Sequence, residues 1–209
     1  MIHLKISEQT ENAAAKYERE RVPEGAVMIY GTSDFAALAA SASLPVVNRS
    51  LADCRMEELL FFYPRLVRPC KPSTLIVGGF LNEYFNHTSV AEIMFLLNRI
   101  LAYARTDMPG IKLKIVDFDP SVEFNSIAFE WSRFKRYRRE LNEEFERYCA
   151  AHPDTELLRF ETSPHFFKNT EDCGEYDKID AALFTENGRY LNSIGMDRFH
   201  TFLAESLGR

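Results

Sequence analysis

The chain has 209 residues with a formal net charge of −6, and 46% of its residues are apolar while 27% are charged. This length suits one domain with a sizeable core, and the balanced composition excludes a disordered chain. The acidic balance argues against a protein that coats nucleic acid or an anionic membrane. We find no apolar run long enough to span a bilayer and no secretory signal at the start. We therefore expect a single cytoplasmic domain over residues 1–209.

The cysteines are too far apart for a metal or redox motif. None of the four forms a C-x-x-C pair, so we expect reduced thiols and neither structural zinc nor another metal or cofactor. They are Cys54, Cys70, Cys149 and Cys173.

Five apolar runs predict β-strands. Most of them are near-continuous in Val, Ile, Leu and Phe, which is typical of parallel strands that are covered on both faces. The runs span residues 26–30, 44–47, 74–77, 112–118 and 156–160.

Segments with helical periodicity alternate with these runs. They span residues 8–21, 33–42, 53–66, 89–105, 127–151 and 196–207. Asp53 and Ser89 are predicted helix N-caps, the second with Glu92 three residues later as a capping box.

The alternation of strand and helix defines the expected architecture. It predicts a three-layer α/β/α sandwich around a five-stranded, mainly parallel, doubly wound sheet of the flavodoxin-like kind. Residues 1–21 form an N-terminal extension whose helix packs on this domain, and the long loop at residues 163–180 is expected to be a lid or an insertion. In such sheets the chemistry lies at the carboxyl ends of the strands.

Polar stretches follow the first three predicted strands, and a further one precedes the last helix. In the first, Gly31 allows a sharp turn, and Ser33 begins a helix whose backbone N–H groups can stabilise an oxyanion. From local sequence alone, the simpler interpretation of Ser33 is an N-cap. The four stretches are Gly31-Thr32-Ser33, Asn48-Arg49-Ser50, Gly79-Phe80-Leu81-Asn82-Glu83 and Asn187-Gly188-Arg189-Tyr190-Leu191-Asn192.

In this order and spacing, the four stretches resemble the sequence blocks of the SGNH (GDSL-type) hydrolase family. Ser33 takes the position of the family's nucleophile, and Ser50 stands where the second block has a glycine. Asn82 matches the asparagine of the third block. In the last block, Asn187 and Tyr190 stand where the family has its aspartate and histidine.

The resemblance implies an acyl-transfer site that lacks its base. Ser33 would attack an ester carbonyl, while the Ser50 backbone and the Asn82 amide would form the oxyanion hole with the Ser33 N–H. Tyr190 is a poor base because a tyrosine pKa is about 10, and Asn187 carries no charge to support an imidazolium. Two interpretations remain: an esterase or acylhydrolase of a small ester or acylated carbohydrate, or an inactive pseudo-hydrolase that binds a ligand or a protein.

An active enzyme would need a substitute base. Asp197 and His200 have the family's Asp-x-x-His spacing but lie inside the last predicted helix, where such a pair is usually a surface contact. His87 follows the third strand closely, and His165 lies in the long loop. The simpler interpretation is a solvated loop histidine or a near-cap residue for His87, and an ordinary loop histidine for His165. The expected partner is a small ester or carbohydrate, without nucleic acid or membrane, and the sequence is compatible with a homo-oligomer.

Overall fold

The structure is a computed structural model, and it describes residues 6–39, 41, 44–117, 121–123, 128–160, 163–166 and 180–208. These residues contain a five-stranded sheet in the order β2-β1-β3-β4-β5, in which every neighbouring pair is parallel. Its strands are β1 (Val27–Gly31), β2 (Val46–Asn48), β3 (Thr74–Gly78), β4 (Lys112–Val116) and β5 (Thr155–Leu158). The predicted parallel, doubly wound sheet is confirmed.

Helices cover both faces of the sheet, which makes the three layers that the sequence predicted. In the described part of the chain, no helix combines the length and the apolar character needed to cross a membrane. The helices are α1 (Glu8–Arg19), α2 (Met56–Leu66), α3 (Leu81–Phe85), α4 (Val90–Asp107), α5 (Ala128–Ala151) and α6 (Ser193–Ser206).

The central strands and α4 follow their sequence patterns closely. Met28, Ile29 and Tyr30 in β1 are fully buried, as a strand covered on both faces requires. In α4, the buried positions recur every three or four residues, and the predicted N-cap is confirmed because Ser89 Oγ accepts a hydrogen bond from Glu92 N at 3.2 Å.

The start of α2 differs from the prediction. The helix begins at Met56, so the assignment of Asp53 as its N-cap is wrong. A side chain from α3 supplies the capping group instead, since Glu83 Oε1 accepts a hydrogen bond from Met56 N at 2.6 Å. Glu58 also turns back to accept from the N–H of Arg55 at 2.9 Å. One tertiary contact and one local contact therefore cap the start of the helix.

The helix predicted over residues 33–42 is a five-residue 3₁₀ helix, Ser33–Ala37. The side chain of Asn48, at the end of β2, contacts the end of this helix. Its amide donates hydrogen bonds to the carbonyls of Phe35, at 2.7 Å, and of Leu38, at 2.8 Å. The Phe35 carbonyl also accepts from Leu38 N at 3.2 Å, so the Asn48 amide adds a tertiary contact to the last carbonyls of the helix. The predicted lid or insertion at 163–180 lies mostly outside the described residues.

Candidate active site

The carboxyl ends of β1 and β3 lie side by side and create room for a tight turn. Gly31 pairs with Gly78, and a Cβ on Gly31 would collide with the carbonyl oxygen of Gly78. Gly79 has a φ of +81°, and a Cβ there would collide with the backbone of Thr32. The Thr32 hydroxyl donates a hydrogen bond to the Gly79 carbonyl. Glycines at these positions therefore bring the turn after β1 against the end of β3.

Ser33, at the predicted nucleophile position, begins the 3₁₀ helix with a φ of 51°. This left-handed conformation is strained for a residue with a side chain, at a cost of about 1–3 kcal/mol, and such strain clusters at functional sites. The Ser33 hydroxyl lies 3.3 Å from Thr32 Oγ1, and its backbone N–H donates to the carbonyl of Ala52 at 3.0 Å. The residue is buried, with 8% of its surface exposed.

Two of the predicted oxyanion-hole donors meet at one oxygen. The Asn82 amide donates to Ala52 O at 2.9 Å, and the Ser33 N–H reaches the same atom at 3.0 Å. The Asn82 amide also donates to Cys54 O at 3.1 Å. These distances are those at which donors stabilise an acyl oxygen. In this structure a carbonyl of the chain itself occupies the place where the two donors converge.

Ser50, predicted as the third donor, is engaged elsewhere. Its N–H donates to Asn48 Oδ1 at 2.8 Å, and its carbonyl accepts from the Tyr17 hydroxyl at 3.0 Å. Within the described part of the chain, the buried Ser50 hydroxyl has no hydrogen-bond partner. The strand end at Asn48 and the helix α1 therefore hold this segment from two sides.

Asn187, at the position of the family's aspartate, stabilises a turn. Its Oδ1 accepts from the Thr185 hydroxyl at 2.8 Å and from Arg189 N at 3.0 Å. Arg189 makes two hydrogen bonds of 2.7 Å to the Glu123 carboxylate, and its guanidinium lies 3.9 Å from the Phe85 ring centroid. The turn is thus fastened to the segment that follows β4 and to α3.

Tyr190, at the position of the family's histidine, has a protonated hydroxyl at neutral pH. Partial burial of the Tyr190 side chain raises the pKa of the phenol. The Arg189 guanidinium opposes this shift, whereas the negative charges of Asp53 and Asp34 add to it. Because the phenol stays protonated, Tyr190 can donate a hydrogen bond to a ligand but cannot readily take a proton from Ser33.

Asp34 was not among the predicted site residues, although it directly follows Ser33. Both of its carboxylate oxygens lie 3.3 Å from the backbone nitrogen of Leu191, the residue after Tyr190. Burial raises the pKa of Asp34 to about 7, and the Leu191 N–H partly opposes the shift. This contact brings the Ser33 turn and the Tyr190 turn together. The only sequence signal was an acidic residue in the first turn of a predicted helix. Such a residue is usually interpreted as a solvent-exposed side chain that interacts favourably with the helix dipole.

The histidines proposed from the sequence as substitute bases have partners away from Ser33. His87 Nδ1 lies 3.4 Å from an Arg133 nitrogen, and His165 Nε2 lies 2.7 Å from Glu205 Oε2.

The remaining candidate pair lies on α6. His200 Nε2 is 2.8 Å from the Ser41 hydroxyl, and Asp197 is solvent-exposed. Among the described residues, the hydroxyl of Ser33 contacts no histidine, so a substitute base stays a prediction. The described part of the chain also contains no cluster of three or more His, Cys, Asp or Glu side chains suited to a metal.

The parallel sheet of order β2-β1-β3-β4-β5 with helices on both faces is similar in fold to solved structures described as GDSL-type lipases and acylhydrolases. No family model and no curated protein sequence matches the chain. Solved structures do match it along most of their length. One is a protein from Streptococcus pneumonia named for platelet activating factor, with a TM-score of 0.76 at 16% identity over 95% of this chain and 92% of the other.

Two further solved structures with this fold are described as lipases or acylhydrolases. A GDSL-like lipase from Bacteroides thetaiotaomicron has a TM-score of 0.71 at 15% identity, covering 95% of this chain and 97% of the other. A lipase/acylhydrolase from Enterococcus faecalis has a TM-score of 0.63 at 13% identity, covering 87% of this chain and 94% of the other. At these identities the likeness is one of fold.

Proposed function

We propose that this protein is an SGNH-type esterase or acylhydrolase for a small ester or an acylated carbohydrate, with Ser33 as its nucleophile. The observation that carries the proposal is the convergence of the Ser33 N–H and the Asn82 amide on a single carbonyl oxygen. A substrate's acyl oxygen belongs to the same chemical group as the Ala52 carbonyl that these donors hold. The donors are therefore arranged to bind such an oxygen.

The expected activity is slow. Attack of the Ser33 hydroxyl on the acyl carbon requires a proton acceptor, and Tyr190 is a poor one. Loss of catalytic-triad members typically lowers the rate on the order of 10⁴ to 10⁶-fold, although donors to the oxyanion retain part of the acceleration. A modest, serine-dependent rate is therefore what the site supports.

A second candidate function is a pseudo-hydrolase that binds an acylated or carbohydrate-like ligand, or a protein, without turnover. Two observations favour it: Asn187 serves a turn, and the Tyr190 phenol is a donor rather than a base. Both residues would then help to bind a ligand whose cleavage is no longer required.

Hydrolysis of p-nitrophenyl acetate separates these functions. The rate should fall in Ser33→Ala relative to the wild type, because the nucleophile is lost. Ser132→Ala serves as the control, since Ser132 is an exposed serine on α5, and it should keep the wild-type rate. Equal rates in the wild type and Ser33→Ala would exclude the esterase.

A second experiment tests the assignment of the last block. The double variant Asn187→Asp with Tyr190→His restores the family pattern and should raise the hydrolysis rate. Adding Ser33→Ala to that variant should abolish the gain. A folded double variant without any gain would contradict the placement of Asn187 and Tyr190 at the triad positions.

A further inference from the structure

The carbonyl that occupies the donor site belongs to a β-turn. The Cys54 N–H donates to Leu51 O at 3.3 Å, so Ala52 and Asp53 are the two central residues. Leu51 and Cys54 are buried, whereas Ala52 and Asp53 are exposed. Asp53 is not among the non-glycine residues with positive φ. The turn is therefore not of type II, which requires a positive φ at its third residue.

Both ends of the turn are anchored, so the central peptide can rotate without displacing them. The Leu51 N–H donates to Gly31 O at 2.9 Å, and the Cys54 carbonyl accepts from the Asn82 amide at 3.1 Å. Just before the turn, the Tyr17 hydroxyl holds the Ser50 carbonyl. Rotation of the Ala52–Asp53 peptide about its two flanking bonds moves few atoms, because the neighbouring residues stay in place.

We infer that the Ala52–Asp53 peptide is a gate for the candidate active site. In the closed state seen here, its carbonyl accepts from the Ser33 N–H and the Asn82 amide. Rotation of the peptide by about 180° converts the β-turn to type II. The carbonyl then points away from the Ser33 N–H and the Asn82 amide, and the Asp53 N–H points toward the place that the carbonyl occupied. The open state therefore frees two donors and adds a third.

The chemistry of the turn permits both states. The type II form needs a left-handed Asp53, and aspartate adopts that conformation more readily than most residues. The N–H of Asp53 makes no hydrogen bond within the described residues, so rotation of the peptide breaks only the two hydrogen bonds that Ala52 O accepts. In the closed state, Ala52 O keeps two donors paired that would otherwise be buried without an acceptor. An acyl oxygen that replaces Ala52 O forms equivalent hydrogen bonds. If the proposed function holds, opening of the gate therefore makes these donors available to the substrate.

Amide hydrogen exchange tests the gate without any reference to activity. Asp53→Gly favours the type II turn, whereas Asp53→Ala removes the same carboxylate without favouring positive φ. The Ser33 amide should exchange at least about tenfold faster in Asp53→Gly than in Asp53→Ala, because exchange follows the open population. Asp53→Asn, which also tolerates the left-handed conformation, should lie between them. Equal protection of the Ser33 amide in the three variants would overturn the gate.

The hydrolysis of p-nitrophenyl acetate by the same variants separates the two proposals. With both correct, the Ser33-dependent rate is higher in Asp53→Gly than in Asp53→Ala. Faster Ser33 exchange without Ser33-dependent hydrolysis in any variant supports the gate and overturns the esterase. Ser33-dependent hydrolysis with unchanged exchange supports the esterase and overturns the gate.

Discussion

Both carboxylate oxygens of Asp34 lie 3.3 Å from the backbone nitrogen of Leu191, across 157 residues of sequence. This contact ties the turn that carries Ser33 to the turn that carries Tyr190. Because Asp34 is buried, its pKa rises to about 7, which makes the junction sensitive to pH in the neutral range.

We predict that Asp34→Asn stabilises the protein increasingly as pH rises. The raised pKa means that folding favours the protonated carboxyl, so the wild type has this stability in full below about pH 4 and loses it as pH rises through about 7. The amide keeps an acceptor for the Leu191 N–H but has no charge to bury. At pH 8, the free energy of unfolding of Asp34→Asn should exceed that of the wild type by about 1–4 kcal/mol.

Urea unfolding of both proteins at pH 4 and pH 8 measures this difference. A gap between Asp34→Asn and the wild type that stays the same at both pH values would contradict the burial of an ionisable Asp34 carboxyl.

Asn82→Ala should destabilise the protein by about 1–3 kcal/mol. The substitution removes the donor to Ala52 O and leaves the buried Cys54 O without that partner. Asn12→Ala is the control, because the Asn12 side chain is exposed on α1. The control should cost less than about 0.5 kcal/mol in urea unfolding. A similar loss for both variants would mean that the Asn82 network adds little.

Gly79→Ala should be much more destabilising than Gly110→Ala. Both glycines have positive φ, at +81° and +86°, so both substitutions carry backbone strain of about 1 kcal/mol. A Cβ on Gly79 collides with the Thr32 backbone, whereas nothing lies within 4 Å of one on Gly110. The extra steric cost at Gly79 should exceed about 2 kcal/mol in thermal or urea unfolding. Equal losses would show that the turn at Thr32 can move aside.

Arg189 and Glu123 should show a favourable coupling of about 1 kcal/mol in a double-mutant cycle. Their two hydrogen bonds of 2.7 Å form a bidentate pair between partly buried groups. A pair with this geometry stabilises a protein more than a simple surface ion pair does. The cycle compares the unfolding of Arg189→Gln, Glu123→Gln and the double variant. A coupling near zero would mean that other contacts hold the Tyr190 turn in place.

Patterns of neighbouring residues predicted those elements whose formation depends on burial alone. The apolar run that contains Met28, Ile29 and Tyr30 predicted a strand covered on both faces, and these residues are fully buried. The three-to-four spacing in α4 predicted its buried face for the same reason. The bounds were wrong at two elements that contact a distant side chain: the start of α2 contacts Glu83, and the 3₁₀ helix contacts Asn48.

The residue types show which chemical groups the protein can bring to the carboxyl edge of its sheet: a serine hydroxyl, an asparagine amide and a phenol. The partners of those groups depend on how the chain packs. The Ser33 N–H and the Asn82 amide converge on Ala52 O, and Asp34 joins two turns far apart in sequence. The direction of a turn's peptide depends on two backbone angles that packing selects, and residue types alone do not specify that choice.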